Sequence, residues 1–271
     1  MLSYGFMQRA LAGGLIIAAA CSIVSFFVMV RRLAFVGMGI SHAAFGGVSI
    51  GIAAGINPIL AAALFCSLVS LGIGYVSRKG RLHEDTAIGI FFVAAMAMGI
   101  VLVRVANAYN IDLMSYLFGS ILAMTWWDVL TLGIIALFSV AFLILFFKEL
   151  LFFAFDEETA QASGMPVRFL NYTLLVTMAV LIVVSIKLLG IILVSGLLVI
   201  PAATGMQVFR NYRGVIAMSI ATSLVSVALG LYISWKFDLA SGAAIVLVMF
   251  GIFAISFIFS PRRGYLRGRT S

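Results

Sequence analysis

The chain has 271 residues, 64% of them hydrophobic and only 10% charged, with a formal net charge of +8. Soluble globular domains are about half apolar and a quarter charged, so this composition excludes one and describes a polytopic membrane protein. The basic excess does not read as a nucleic-acid surface, because Lys and Arg fall in short clusters between apolar runs, where they act as topology signals.

Crossing a hydrocarbon core takes roughly 17 to 25 apolar residues. Such runs occur at 10–30, 36–55, 58–77, 86–106, 127–147, 169–187, 189–209, 213–234 and 240–260, nine in all. The first leads straight into Arg31-Arg32 and another span without a small-residue cleavage signature, so it is expected to remain as a mature helix. In the second, every fourth residue from Gly39 is small: Gly39, Ala43, Gly47, Gly51 and Gly55. A ridge of this kind lets a neighbouring backbone approach closely in lipid. His42 sits beside the ridge. An imidazole is costly in hydrocarbon, so it should face protein or a water-filled cavity, either lining a pathway or acting as a hydrogen-bonded packing residue. Cys21, Cys66 and the scattered methionines show no ligand spacing and are expected to pack.

The third span ends in Arg78-Lys79-Gly80-Arg81, and His83 beside Glu84 and Asp85 reads as a surface histidine. After the fourth, the stretch from Asn107 to Thr125 is polar and then apolar at Leu117-Phe118-Gly119, which predicts an external loop with an interfacial or re-entrant helix. Asp112 there either lines an external mouth or is solvated. Trp126 and Trp127 suit the headgroup boundary, and Asp128 is expected to cap the following span. The longest polar interruption, Lys148 to Arg168, is too short for a nucleotide-binding fold, and no Gly-rich phosphate loop occurs anywhere. Energy therefore comes from an ion gradient or a separate ATP-hydrolysing chain, if the protein pumps at all.

Within that interruption, residues 155–166 have the punctuation of a short helix. Asp156 can cap its start, Glu157 and Glu158 suit the positive end of the dipole, Gly164 suits a left-handed terminal cap and Pro166 stops continuation. A partner-docking element and a solvated connector both fit. Only Leu188-Leu189-Gly190 separates the sixth and seventh spans, so a tight external turn is predicted there; a merged helix would leave eight spans. Pro201, with Ser195, Thr204 and Gly205 nearby, would line a route, act as a hinge or form a fixed bend.

Placing the first connection in the cytoplasm puts Arg31, Arg32, Arg78, Lys79, Arg81, Lys148, Arg168, Arg210, Arg213, Arg262, Arg263, Arg267 and Arg269 inside. Only Arg9, Arg104, Lys187 and Lys236 are left outside. The asymmetry predicts an external N-terminus and a cytoplasmic C-terminus.

Four stretches then carry a family resemblance along nearly the whole chain. They are Arg31-Arg32-Leu33-Ala34-Phe35 leading to Ser41-His42-Ala43-Ala44-Phe45; Glu84-Asp85-Thr86-Ala87-Ile88-Gly89-Ile90; Phe155-Asp156-Glu157 to Ala160 and Gly164; and Leu197 to Thr204 around Pro201. Together they resemble the membrane permease of ABC transporters that import zinc, manganese or iron ions. The resemblance implies an all-α polytopic fold similar to the cobalamin-importer type, with residues 1–271 forming one transmembrane permease domain in a bacterial inner membrane. It also implies a homodimer, two cytoplasmic ATP-binding subunits and an external metal-binding protein. No cofactor is implied for this chain, only a transported divalent ion.

On that reading the helix from Asp156 to Gly164 is the coupling helix, with Asp156, Glu157, Ala160 and Gly164 meeting the ATPase through an Ala-x-x-x-Gly spacing. The family commonly has an acidic residue four positions before the histidine and often a proline just after the motif. Here those positions are Met38 and Gly46. A thioether supplies no charge to a hard ion such as manganese. Histidine chemistry and family frequency order the cargo as zinc, manganese, iron, with His42 as the candidate path residue and Asp112 a second candidate. The competing class is a stand-alone secondary transporter, whose signature would be internal duplication and discontinuous helices. An intramembrane metalloprotease is disfavoured by the lack of a His-Glu-x-x-His motif.

Overall fold

A computed structural model describes residues 4–80, 83–105, 119 and 121–260, apart from the side chains of Glu84, Leu122, Lys187 and Leu188. Among the described residues the protein is built from helices: α1 (Gly5–Val30), α2 (Ala34–Ala53), α3 (Pro58–Gly80), α4 (Glu84–Val105), α5 (Trp126–Leu145), α6 (Phe147–Phe155), α7 (Glu157–Ala162), α8 (Val167–Val208), α9 (Tyr212–Phe237) and α10 (Ser241–Ile258). Nine stretches among them are long and apolar enough to span a membrane, with α8 supplying two, Val167–Ile186 and Leu189–Val208.

The predicted turn between the sixth and seventh spans is a reversal at one residue. Gly190 has φ 78° and ψ 162°, the sole non-helical backbone within α8, in a region essentially reserved for glycine. The two arms run in opposite directions. Tyr172 and Leu175 of the first arm lie against Gly74 of α3, while Leu198 of the second returns to Gly37 of α2.

In lipid, helices gain little from hydrophobic association, so close van der Waals contact and hydrogen bonds hold them together. Both are present. Gly205 lies so near α9 that a Cβ would come 2.6 Å from the Val215 carbonyl oxygen, and Gly230 so near α10 that one would come 2.5 Å from Ile245 Cα. A buried polar seam ties α1 to its neighbours: Ser22 Oγ donates to Ser223 Oγ of α9 at 2.7 Å, and Ser25 Oγ accepts from the Ala202 N–H of α8 at 3.3 Å. The latter bond fixes the backbone just after Pro201. Dihedrals remain helical through Pro201, so in this conformation it is an anchored position and the break in α8 lies at Gly190.

Contacts separate two sets of segments at the two ends of the bundle. At one end Glu157 bonds both Arg31 after α1 and Arg78 near the end of α3. At the other, Arg9 Nε donates to the Met124 carbonyl at 2.7 Å, and a Cβ on Gly119 would collide with the backbone of Leu189 and Gly190. The expected cytoplasmic and external segments thus segregate to opposite ends. Asp112 lies outside the described residues.

Three local expectations change. Asp128 does cap α5, but from its third position: Thr125 is the N-cap, and Asp128 closes a capping box by accepting from the Thr125 N–H at 3.0 Å. The helix expected within 155–166 covers only Glu157–Ala162, and Asp156 and Gly164 take the cap positions expected of them. The preceding residues, read as loop from Lys148, form α6, whose Leu150 and Phe153 are buried.

Candidate metal path and coupling face

His42 stands two turns into α2, half-buried. Its Nδ1 lies 2.8 Å from the Met38 carbonyl oxygen. A carbonyl can only accept, so Nδ1 carries the proton and donates, leaving the Nε2 lone pair free. This backbone bond is the usual way a protein orients an imidazole as a metal ligand. The ring is further held edge-on against Phe92 of α4, with centroids 5.1 Å apart and planes at 87°.

His42 opens onto a cleft of about 320 Å³ between α2 and α4, walled by Phe35, Met38 and Gly39 on one side and Asp85, Ile88, Gly89 and Phe92 on the other. The thioether of Met38 therefore does share the histidine's face, as its position one turn away requires. No three His, Cys, Asp or Glu side chains gather into a metal site among the described residues. The described residues of one chain thus offer an incomplete ligand set.

The ridge of small residues behind His42 serves two neighbours. A Cβ on Gly47 would sit 2.5 Å from Ala62 Cα and one on Gly51 2.6 Å from Pro58 Cα, both on α3. Gly39 instead abuts Ile88 of α4, and Gly46, off the ridge, approaches the Ala95 carbonyl of α4. Ala43 is fully buried. Gly55 packs on nothing; with φ +67° it turns the chain after α2. Any side chain at position 46, proline's ring included, would place a Cβ 2.6 Å from the Ala95 carbonyl oxygen.

At the basic end, α7 is a short acidic helix with both ends closed. Asp156 accepts from the Thr159 N–H at 2.9 Å. That bond and the stronger one from the Thr159 hydroxyl hold the Asp156 carboxyl below its ordinary value of 3.8. At the far end Gly164 takes φ +79°, and the Met165 N–H reaches back to the Ala160 carbonyl at 3.1 Å, a left-handed termination. Glu157 accepts from Arg31 at 2.9 Å and from Arg78 at 2.7 Å, and the Arg31 guanidinium lies 4.0 Å from the centroid of the buried Phe153 ring.

Ala160 corrects the expected contact surface. It is completely buried beneath α7 against the body of the protein, so its small side chain seats the helix and is not available to a partner. The outward face is made by Glu158, Thr159, Gln161, Ala162, Ser163 and Gly164, all exposed. Sequence periodicity alone does not say which side of so short a helix points inward.

The family model for the ABC 3 transport family matches residues 3–260. The chain belongs to this family. It is the membrane permease subunit of a metal-ion ABC transporter, with ATP hydrolysis carried by a separate subunit. The permease is 38% identical over 267 residues to the manganese transport system membrane protein MntC of Halalkalibacterium halodurans, covering 98% of this chain and 91% of that one. It is 35% identical over 267 residues to the manganese import system permease protein ScaB of Streptococcus gordonii, covering 97% and 95%. Among solved structures it resembles PsaBC from Streptococcus pneumoniae in complex with Fab, at 33% identity and a TM-score of 0.86, over 98% of the permease and 96% of that chain. Family members work with an ATPase and a solute-binding protein, and the permease is a multi-pass protein of the bacterial inner membrane.

Proposed function

We propose that two copies of this permease form the membrane path of an ATP-driven divalent metal importer, with manganese as the cargo ahead of zinc and iron. The observation that carries the path is His42: an imidazole within the membrane span, oriented by the Met38 carbonyl so that Nε2 is free in a cleft. The names of the relatives, both manganese systems, move manganese ahead of zinc in the order drawn from histidine chemistry. A homodimer follows from the incomplete ligand set, since a second copy would bring a second His42 to the cargo. Two cytoplasmic ATPases meet the outward face of α7, and an external metal-binding protein delivers the ion at the end marked by Arg9 and Met124. A stand-alone secondary transporter loses its basis with membership of an ABC family.

The complex reconstituted in proteoliposomes with its ATPase and binding protein should take up manganese(II) only with ATP. Loss of even an outer-shell partner of a metal ligand typically costs 10–100-fold, so His42→Ala, which removes the contacting group itself, should lower uptake about tenfold or more at normal membrane levels. Uptake at the parental rate would return His42 to a packing role. On the coupling face, Ala162→Trp projects from exposed helix without backbone strain and should weaken ATPase association, whereas undiminished association removes α7 as the contact.

A further inference from the structure

Away from the histidine's cleft, a second cavity opens at the basic end, in the seam between α3 and the first arm of α8. The two run antiparallel, and their register is set by Gly74, against which Tyr172 and Leu175 pack. Arg78 lies one turn beyond Gly74 and Arg168 one turn before Tyr172, so these positions come level across the seam. Both line a cavity of about 380 Å³, together with Gln161 of α7, Met165, Pro166 and Phe169. No described carboxylate is part of that lining. Arg78 reaches Glu157 through Nη2, whereas Arg168 is exposed and makes no hydrogen bond or ion pair among the described residues. Pro166 supplies no side-chain cap to α8. The N–H groups of Arg168 and Phe169 in its first turn are thereby also left without an acceptor among the described residues. Two guanidinium groups, a side-chain amide and open N–H groups around one hollow form a donor set for an anion with several oxygens.

Depth decides the kind of anion. The spans Pro58–Gly80 and Val167–Ile186 both end at this level, so the cavity sits where the headgroups of the basic-end leaflet lie. Beside the donors the surface is apolar and open to lipid. Phe169 is 54% exposed, and Leu68, Leu71 and Tyr75, which lead along α3 to Arg78, are exposed as well. We propose that this cavity holds the phosphate of an anionic phospholipid, with Arg78 and Arg168 on its oxygens and the acyl chains along that apolar wall. Basic pockets between membrane helices at the cytoplasmic face suit such headgroups. An acidic side chain of the ATPase would use the polar hollow alone, whereas a phospholipid uses the hollow and the wall together. Because Gln161 belongs to α7, an occupied cavity also braces the coupling face. The inference is independent of which metal is carried.

The test is native mass spectrometry of the purified complex of permease and ATPase, titrated with phosphatidylglycerol or with phosphatidylcholine. The parent should retain phosphatidylglycerol in preference. Arg168→Gln should reduce that preference about fivefold, the worth of one basic group at an anionic surface, and Arg168→Lys should keep most of it. Arg213 is an exposed arginine at the same end that bonds its neighbour Tyr212, and Arg213→Gln should behave as the parent does. Equal losses in the two glutamine variants, or none in Arg168→Gln, overturn the site, because general surface charge does not distinguish the two arginines. Displacement of phosphatidylglycerol by millimolar inorganic phosphate would mark a site for the free anion and overturn the lipid. An Arg168→Gln complex that keeps the lipid but loses its ATPase would assign the hollow to an acidic side chain of that subunit, which also overturns the proposal.

Discussion

At the scale of single residues, two glycines of similar sequence context carry opposite meanings. Gly47 faces Ala62 Cα so closely that a methyl group would lie 2.5 Å from it, whereas Gly251 in α10 has open space. Gly47→Ala must push α2 from α3, and overpacking of this kind costs typically 1–3 kcal/mol; the thermal midpoint in detergent should fall by several degrees. Gly251→Ala relieves a helix glycine without a clash and should leave the midpoint unchanged or raised. Equal midpoints for the two variants would contradict the assigned contact. The four-residue spacing made the ridge legible in sequence, because small residues at that period share a helix face. It could not show that Gly39 serves α4 while Gly47 and Gly51 serve α3, since one period is compatible with either neighbour. His42 was legible for a different reason: a lone imidazole in an apolar span has few inexpensive environments. Asp85 was hidden because its helix begins in a polar connection, and only the pairing of α2 with α4 brings it to the histidine's cleft.

At the scale of elements, α7 shows how six residues are held as a helix when isolated helices of such length are unstable in water. Asp156 and Gly164 close its ends, Ala160 seats it, and Glu157 fastens it to α1 and α3. The caps were readable from residue types; the two-arginine clasp was not, because Arg31 and Arg78 are distant in sequence. Helix α6 escaped notice since Lys148 and Glu149 break the apolar run, yet its Leu150 and Phe153 bury one face. Protonation of Asp156 should loosen α7, and the sign follows from its lowered value. The folded carboxyl binds its proton less readily than the unfolded one, so its stabilisation is complete above the ordinary value of 3.8 and is lost as pH falls through the lower folded value. A nitroxide placed at position 162 should gain mobility in that acid range. In Asp156→Asn, which caps without titrating, the step attributable to this residue should vanish; a step of the same size there would assign it to another group.

For the whole molecule, orientation is the property on which path and coupling both depend, and charge and contacts together give the expected one. Thirteen of the seventeen Lys and Arg residues fall on the side that carries Arg31 and Arg78 when nine spans are threaded, and basic segments are retained in the cytoplasm. Glu157 bridges two of those arginines, so α7 must lie on the same side. The reversal at Gly190 keeps the number of crossings odd; a straight passage through α8 would place Arg210 and Arg213 opposite Arg31 and divide the basic set. Cysteine labelling can decide this without disturbing the bundle, because the native Cys21 and Cys66 are both buried away from a charged, membrane-impermeant thiol reagent. Ser163 and Asp238 are exposed at opposite ends of the molecule. In right-side-out vesicles a cysteine at 238 should react at once and one at 163 only after permeabilisation, and inverted vesicles should exchange the two results. Prompt labelling at 163 in right-side-out vesicles would put α7 outside, beyond reach of any cytoplasmic ATPase. The end marked by Arg9, Met124 and the Gly119–Gly190 contact would then be the inner one.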